Sequence, residues 1–514
     1  MRMRPLLTDS SEPSVDAAPA IGGVSRSNRW HAAAAPESAA ESRAFWWTAV
    51  FLLGHIPLAL AVNDSPGLAT AHALASLAVG VAAALSGRFD RVGVVVSYIA
   101  GAEVLWRMAG AQINWEFGKY AASLVMILTL IRSGRLKPPL VPLLYLVVLM
   151  PSTAMVLSEQ SWTEARDQIS FNLSGPVALV IAAWFFSKVV TTESDLRWMF
   201  VAFIGPAVGI AGVATSATLA SDVTFYDASN VVTSGGFGPN QVSGTMGLGA
   251  LLALLMHLDR RMAWSTRLLM VGALGWLAVQ TALTFSRGGL YMAGGATLVA
   301  ASFAARDAHL RSRVLLVLAA LVVVANFVVL PYLNAFTAGG LVTRFEDTDL
   351  TGRDRMVRGD IELWKQNFWM GVGPGGGRLN RGTFFVSPDG STVAGPTLTI
   401  AAHTEFSRLL AEHGVFGLAA LFLFIGMGIA SVRRQPDPRI RAVCAALMSW
   451  SVLFMLSYAT RTFAPSFAFG LGAALHMAGR EAPGRGGSFA RGSMRRLATG
   501  HPALAADPPS EAAG

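Results

Sequence analysis

Residues 314–332 read VLLVLAALVVVANFVVLPY, nineteen positions without a charge and with Asn326 as the one amide among them. A helix rises 1.5 Å per residue, so about 20 such residues cross the roughly 30 Å hydrocarbon core of a bilayer. Working outward from this run, thirteen more stretches follow the same pattern: 44–62, 67–86, 92–107, 115–131, 140–157, 170–186, 198–215, 241–258, 268–285, 289–304, 415–431, 442–459 and 466–478. Several are short, and the third and fourth have the length of one re-entrant pair. The expected fold is all-α, a polytopic transmembrane helix bundle of about 12–14 spans.

Composition agrees. Of 514 residues, 53% are hydrophobic and 14% charged, against about 25% charged in an ordinary globular domain. Mean hydropathy is +0.49. These values exclude a soluble enzyme. One cysteine, Cys444, excludes an internal disulfide framework and a cysteine-based zinc site. The net charge of +9 would suggest nucleic-acid binding in a soluble chain. In a membrane chain, Lys and Arg collect in the cytoplasmic connectors and set orientation. With the N-terminus placed inside and the spans alternating, 27 of the 40 basic residues fall in cytoplasmic segments. No nucleic-acid partner is expected.

About 80 residues separate the run ending at Tyr332 from the one starting at Val415, and a segment this long is usually functional or disordered. Apolar residues at intervals predict short helices folded over the outer face. Seven basic and seven acidic side chains between Leu333 and Ala402 leave this loop neutral, so its arginines are placed individually. The expected organisation is a disordered cytoplasmic tail (1–43), a bundle (44–332), the loop (333–414), C-terminal spans (415–479) and a second disordered tail (480–514). Residues 1–43 lack the apolar core of a signal peptide.

Three outer-face segments carry residues suited to chemistry. Thr284-Phe285-Ser286-Arg287-Gly288-Gly289 is a tight turn that holds an arginine at the membrane boundary, as an anion ligand or as a snorkelling side chain. Thr351-Gly352-Arg353 precedes an amphipathic stretch and Gly371-Val372-Gly373-Pro374-Gly375-Gly376-Gly377. That glycine run is either a phosphate cradle or a hinge; no strand precedes it, which argues against a P-loop. His403, Glu405 and Glu412 lead into an apolar helix, and a histidine titrates close to neutral pH, as a general base must. His403 and His413 are ten apart, not the four of a helical zinc pair, so no metal is expected. Within the spans, Glu103 and Arg107 are spaced as an intrahelical ion pair. Arg166 and Arg461 stand at outer span ends. Trp46, Trp47, Trp115, Trp198 and Trp264 are expected interfacial anchors.

Taken in order, the segments resemble the O-antigen ligase/polymerase superfamily of bacterial polytopic glycosyltransferases. Ser286-Arg287-Gly288-Gly289 is similar to its Ser-Arg-Gly-Gly turn. Thr351-Gly352-Arg353, seventeen residues before Gly371-Val372-Gly373-Pro374-Gly375, resembles its Ser-Gly-Arg … Gly-Val-Gly-x-Gly signature. His403-Thr404, nine residues, then Gly414-Val415-Phe416-Gly417 resembles its His-x10-Gly-x-x-Gly motif, with Thr404 where ligases usually carry an amide or Ser. Gly236-Phe237-Gly238-Pro239-Asn240 is similar to the segment before a middle span. The likeness covers about residues 235–461.

The resemblance implies transfer of a glycan from a polyprenyl (undecaprenyl) diphosphate carrier, at the periplasmic face, to a glycan, lipid A–core or other acceptor in surface-polysaccharide biosynthesis. The family is inverting and metal-independent, so neither a metal nor another cofactor is implied. It makes Arg287 and Arg353 the expected diphosphate ligands and His403 the group acting on the acceptor hydroxyl. Glu405 or Glu412 would orient His403 or serve as base instead. Arg344, Asn240, Gly371 and Gly373 are the expected substrate contacts. The implied location is the bacterial inner membrane with both termini cytoplasmic. The rival class is a secondary transporter or lipid-linked oligosaccharide flippase. Such proteins usually show repeated halves, and the sequence shows no convincing repeat.

Overall fold

The computed structural model describes residues 39–225, 228–347, 353–381 and 402–477. Apart from residues 39–43, the two expected tails lie outside the described residues, as do Thr351, Gly352 and residues 382–401 of the loop.

The described chain is a helical bundle. Its first half holds α1 (Ala39–Asn63), α2 (Pro66–Leu85), α3 (Phe89–Met108), α4 (Phe117–Arg132), α5 (Leu140–Val147), α6 (Met150–Glu159), α7 (Trp162–Phe186) and α8 (Glu193–Ala220). Then follow α9 (Pro239–Leu258), α10 (Trp264–Leu283), α11 (Arg287–Ala304) and α12 (Ala308–Val324), the last running through a π turn into α13 (Leu330–Phe336). The loop contains α14 (Gly340–Glu346), α15 (Arg353–Gln366) and α16 (Gly376–Asn380), the short helices its apolar residues predict. The chain closes with α17 (Glu405–Arg434), α18 (Pro438–Ser457) and α19 (Ala464–Ala474).

Ten helical segments among the described residues are long and apolar enough to cross a membrane, counting α5–α6 and α12–α13 once each. The other four predicted runs form α3, α4, α11 and α19. They miss that measure for physical reasons: α3 carries Glu103 and Arg107, and α4 and α19 have only 16 and 11 residues. All four nevertheless pack within the bundle. The protein is a multi-pass membrane protein.

Local signals set the helix starts. Ser65 Oγ accepts from Leu68 N at 3.2 Å, with Pro66 opening α2, where its missing N–H costs nothing. Thr192 and Asp195 form a reciprocal capping box on α8. The centre of the bundle is α8, 89% buried across its apolar window. Phe203 of α8 stacks on Phe467 of α19 at 6.0 Å. Without a hydrophobic drive between helices in lipid, close approach depends on small residues. A Cβ on Gly247 of α9 would stand 2.5 Å from the Gly289 carbonyl of α11, so glycine there lets the middle of α9 touch the start of α11.

Helix ends collect at two faces. Arg107, Asn240, Ser286, Glu405 and Tyr458 meet at one, beside α14–α16, hereafter the loop face. Arg197, Asp259, Arg313 and Asp437 line one cavity at the other. There, Val190–Thr191 pairs in parallel with His476–Met477, which joins the chain after α7 to the chain after α19.

Candidate functional site

The site begins at the turn between α10 and α11. Phe285 is a fully buried non-glycine residue with φ of 55°. Such backbone costs of order 1–3 kcal/mol and survives only where packing enforces it; here the Phe285 ring stacks on Phe225 at 5.1 Å. The turn aims Ser286 and Arg287 at the loop face. Ser286 Oγ donates to Asn240 Oδ1 at 2.9 Å and meets Tyr458 Oη at 2.9 Å. Arg353, the first residue of α15, donates from Nη2 to the same Asn240 oxygen at 3.2 Å. Its guanidinium lies over the Tyr458 ring, 5.6 Å from the centroid. Asn240 and Tyr458 therefore join the start of α15 to the start of α11.

Arg287 turns toward α14, donating to the carbonyls of Arg344 at 3.4 Å and of Asp347. Arg344 is buried, with Nε toward the Phe285 carbonyl at 3.3 Å and Nη1 on Asp347 Oδ2 at 3.2 Å.

His403 lines a small cavity with Asn240, Gln241, Tyr458 and Arg461. Its ring makes no hydrogen bond among the described residues. Burial, and then the positive charges of Arg353, Arg461 and Arg381, hold its pKa down to about 4, so the imidazole is neutral at physiological pH. Arg461 donates to the Ala402 carbonyl at 2.9 Å, beside this ring.

The two acidic candidates are engaged elsewhere. Arg408 binds Glu405 Oε1 at 2.5 Å and Glu412 Oε2 at 2.7 Å, with all three side chains at most 4% exposed. Glu405 also accepts from Thr460 N at 3.1 Å. Neither carboxylate bonds to His403; both are locked onto an arginine one helical turn away. Behind them Asp360 accepts from Arg381 Nε at 2.8 Å and from Ser407 Oγ at 2.7 Å. Burial raises the Asp360 pKa against the opposing pull of Arg381.

The glycine run serves as a joint. Helix α17 breaks at Gly414, which has φ 58° and ψ −135°. Val372 N and Gly373 N donate to the carbonyls of Ala411 and Glu412 at 2.9 and 3.0 Å, and Val415 N returns to Phe368 O at 2.8 Å. Gly371 N is bound to Asn367 O at 2.8 Å, and a Cβ at Gly371 would collide with the Glu412 backbone. The amides of Gly371 and Gly373, two expected substrate contacts, thus bond to protein carbonyls.

The turn 458–463 ties the site together. Besides Tyr458 and Arg461, it presents Thr460 O to Lys119 at 3.3 Å, Arg461 O to Arg107 at 2.9 Å, and Phe463 N to Glu103 Oε2 at 2.5 Å. Glu103 and Arg107 form the expected ion pair at 2.6 Å, and Arg107 reaches on to Gln241 at 2.8 Å. Lys119 pairs with Glu116. Tyr458, Arg408, Lys119, Asp360 and Arg381 carry no expected role from the sequence. The spacing of Glu405, Arg408 and Glu412 along one helix was a usable signal for Arg408; nothing local marks Tyr458.

Residues 272–422 match the protein-family model described as O-antigen ligase. The match spans 151 of the 514 residues and supports the likeness to the O-antigen ligase/polymerase superfamily. The family acts in glycan transfer of the ligase or polymerase type. The matched segment contains Arg287, Arg344, Arg353, His403, Glu405 and Glu412, and excludes Asn240, Tyr458 and Arg461. The polar groups that couple its two arginine segments thus come from flanking helices. No curated protein matches the chain.

Proposed function

We propose that the protein transfers a glycan from an undecaprenyl-type diphosphate carrier to an acceptor hydroxyl at the periplasmic face of the inner membrane, in surface-polysaccharide biosynthesis. The observation that carries this reading is the junction at Asn240 and Tyr458, which joins the Ser286-Arg287 turn to Arg353 beside a neutral His403.

The acceptor oxygen attacks the anomeric carbon while the bond from that carbon to the diphosphate breaks. The electron pair leaves on the diphosphate, and the acceptor proton passes to His403. Arg353 and Arg287 stabilise the leaving charge. A guanidinium stays protonated and binds two oxygens at once, so arginines can perform this task without a metal. Each contact is worth roughly 2–4 kcal/mol of barrier in a dry site. Burial and then the charges of Arg353, Arg461 and Arg381 depress His403; an arriving diphosphate offsets that charge and makes the imidazole more basic. Glu405 and Glu412, with Arg408, hold the first half of α17 and so position His403. Arg344 steadies the segment that Arg287 leans on. Gly371 and Gly373 support α17 from behind.

The loop face is periplasmic in this reading, and both termini are cytoplasmic, because the opposite connectors carry most of the basic residues. Purified protein and a lipid-linked donor test the assignment. Arg287→Ala and Arg353→Ala should each abolish transfer while inserting at wild-type level. Near-normal transfer by either variant overturns that residue's phosphate role.

A further inference from the structure

The face opposite the loop carries a cavity between α8, α9, α12 and α18 that the transfer reaction does not use. Five arginines and three acids line it. Two of the arginines are neutralised: Arg197 pairs with Asp259 at 2.6 Å and Arg261 with Glu193. Arg260, Arg313 and Arg439 form no ion pair among the described residues. Arg313 donates to the His257 carbonyl at 2.9 Å, which also accepts from Arg267 at 2.9 Å, so two guanidinium groups crowd one carbonyl. A basic-residue bias accounts for the number of arginines, but not for a cavity built around three of them.

The floor of this cavity is apolar and continues as a groove. Leu255, Leu258, Ala304, Val314 and Ala442 line both the basic cavity and a second, apolar one that runs between α9, α11 and α12. The helix closing this groove packs little: the apolar window of Leu310–Phe336 is only 6% buried. Along that edge, the bundle leaves space that protein does not fill.

We propose that this composite cavity binds an anionic glycerophospholipid from the leaflet opposite the loop. Its phosphate sits among Arg260, Arg313 and Arg439, and one acyl chain lies in the groove against Ala301 and Val317. Charge complementarity selects a net-negative headgroup, because a zwitterionic one would bring a cation toward unpaired arginines. The acyl groove selects a lipid over a free phosphate.

Native mass spectrometry of the delipidated full-length protein in nonionic detergent tests this, with dioleoylphosphatidylglycerol, dioleoylphosphatidylcholine and inorganic phosphate as separate probes. Phosphatidylglycerol should bind at least tenfold more tightly than phosphatidylcholine. The double variant Arg260→Gln/Arg439→Gln should weaken phosphatidylglycerol binding about 30-fold, the loss expected for two surface phosphate contacts. Both side chains are exposed and unpaired, so folding is preserved. Ala301→Phe, which fills the groove, should weaken the long-chain lipid and leave inorganic phosphate unaffected. Equal binding of the two lipids overturns the proposal. So does unchanged phosphatidylglycerol binding by the double variant, or displacement of the lipid by equimolar inorganic phosphate.

Discussion

At the loop face, Arg107, Arg381 and Arg408 are at most 5% exposed, and each grips a carboxylate that is itself buried. At the opposite face, Arg197 and Arg261 remain 28% and 27% exposed over acids that are 31% and 40% exposed. The two kinds of pair behave differently. Removing one partner of a buried pair strands a charge in low dielectric and costs about 3–5 kcal/mol. An exposed pair is worth about 0–1 kcal/mol. The loop face thus uses most of its charges to fix geometry. Arg353 and Arg461 differ there: among the described residues Arg353 touches an amide oxygen and an aromatic ring, and Arg461 a backbone carbonyl and an aromatic ring, but neither touches a carboxylate. A cation held in place yet not neutralised is suited to an incoming diphosphate.

The sharpest way to break this contrast is Arg408→Leu. It leaves Glu405 and Glu412 buried together and should cost about 3–5 kcal/mol, read as a lower melting midpoint and a poor yield of folded protein. A stable Arg408→Leu protein would show that the loop-face network is not structural. Next is His403→Gln, which should lower kcat about 100-fold while leaving the KM for donor within about threefold, as expected for loss of a proton acceptor but not of binding. A matching rise in KM with kcat intact would make His403 a binding residue.

The pH profile gives a smaller effect. With its pKa at about 4, His403 is neutral down to pH 5 and protonates below. The kcat/KM of the wild type should therefore hold from pH 7 to 5 and fall toward 4. Stability should fall in the same direction. An unfolded His takes up its proton near pH 6.5, so the folded state loses stability as pH drops from there toward 4. His403→Gln should lack that loss. A fall in activity already complete at pH 6 would contradict the buried, arginine-flanked setting. The smallest effect belongs to the other face: Arg197→Ala should change stability by no more than about 1 kcal/mol and leave transfer at wild-type level.

Fourteen apolar runs, the Glu103–Arg107 pair and the helices of the loop were legible because each is local. Periodicity, charge gaps and i, i+4 spacing lie within one segment. Arg287, Arg353 and His403 were legible as a set by resemblance, and Asn240 by the segment before its span. The links among them were not. Tyr458 meets Ser286 across 172 positions, and Lys119 reaches Thr460 across 341. No local pattern encodes such contacts. The same limit explains Gly371 and Gly373. A glycine run reads alike whether a phosphate or another backbone comes close, and here the backbone of α17 does.

Donor binding measures the central claim without the complication of turnover. Purified protein titrated with a short-chain polyprenyl diphosphate should bind it. Arg353→Ala should lose about 30-fold in affinity, roughly 2 kcal/mol for one charged phosphate contact, and His403→Gln should bind like the wild type. Undiminished binding by Arg353→Ala would contradict the account.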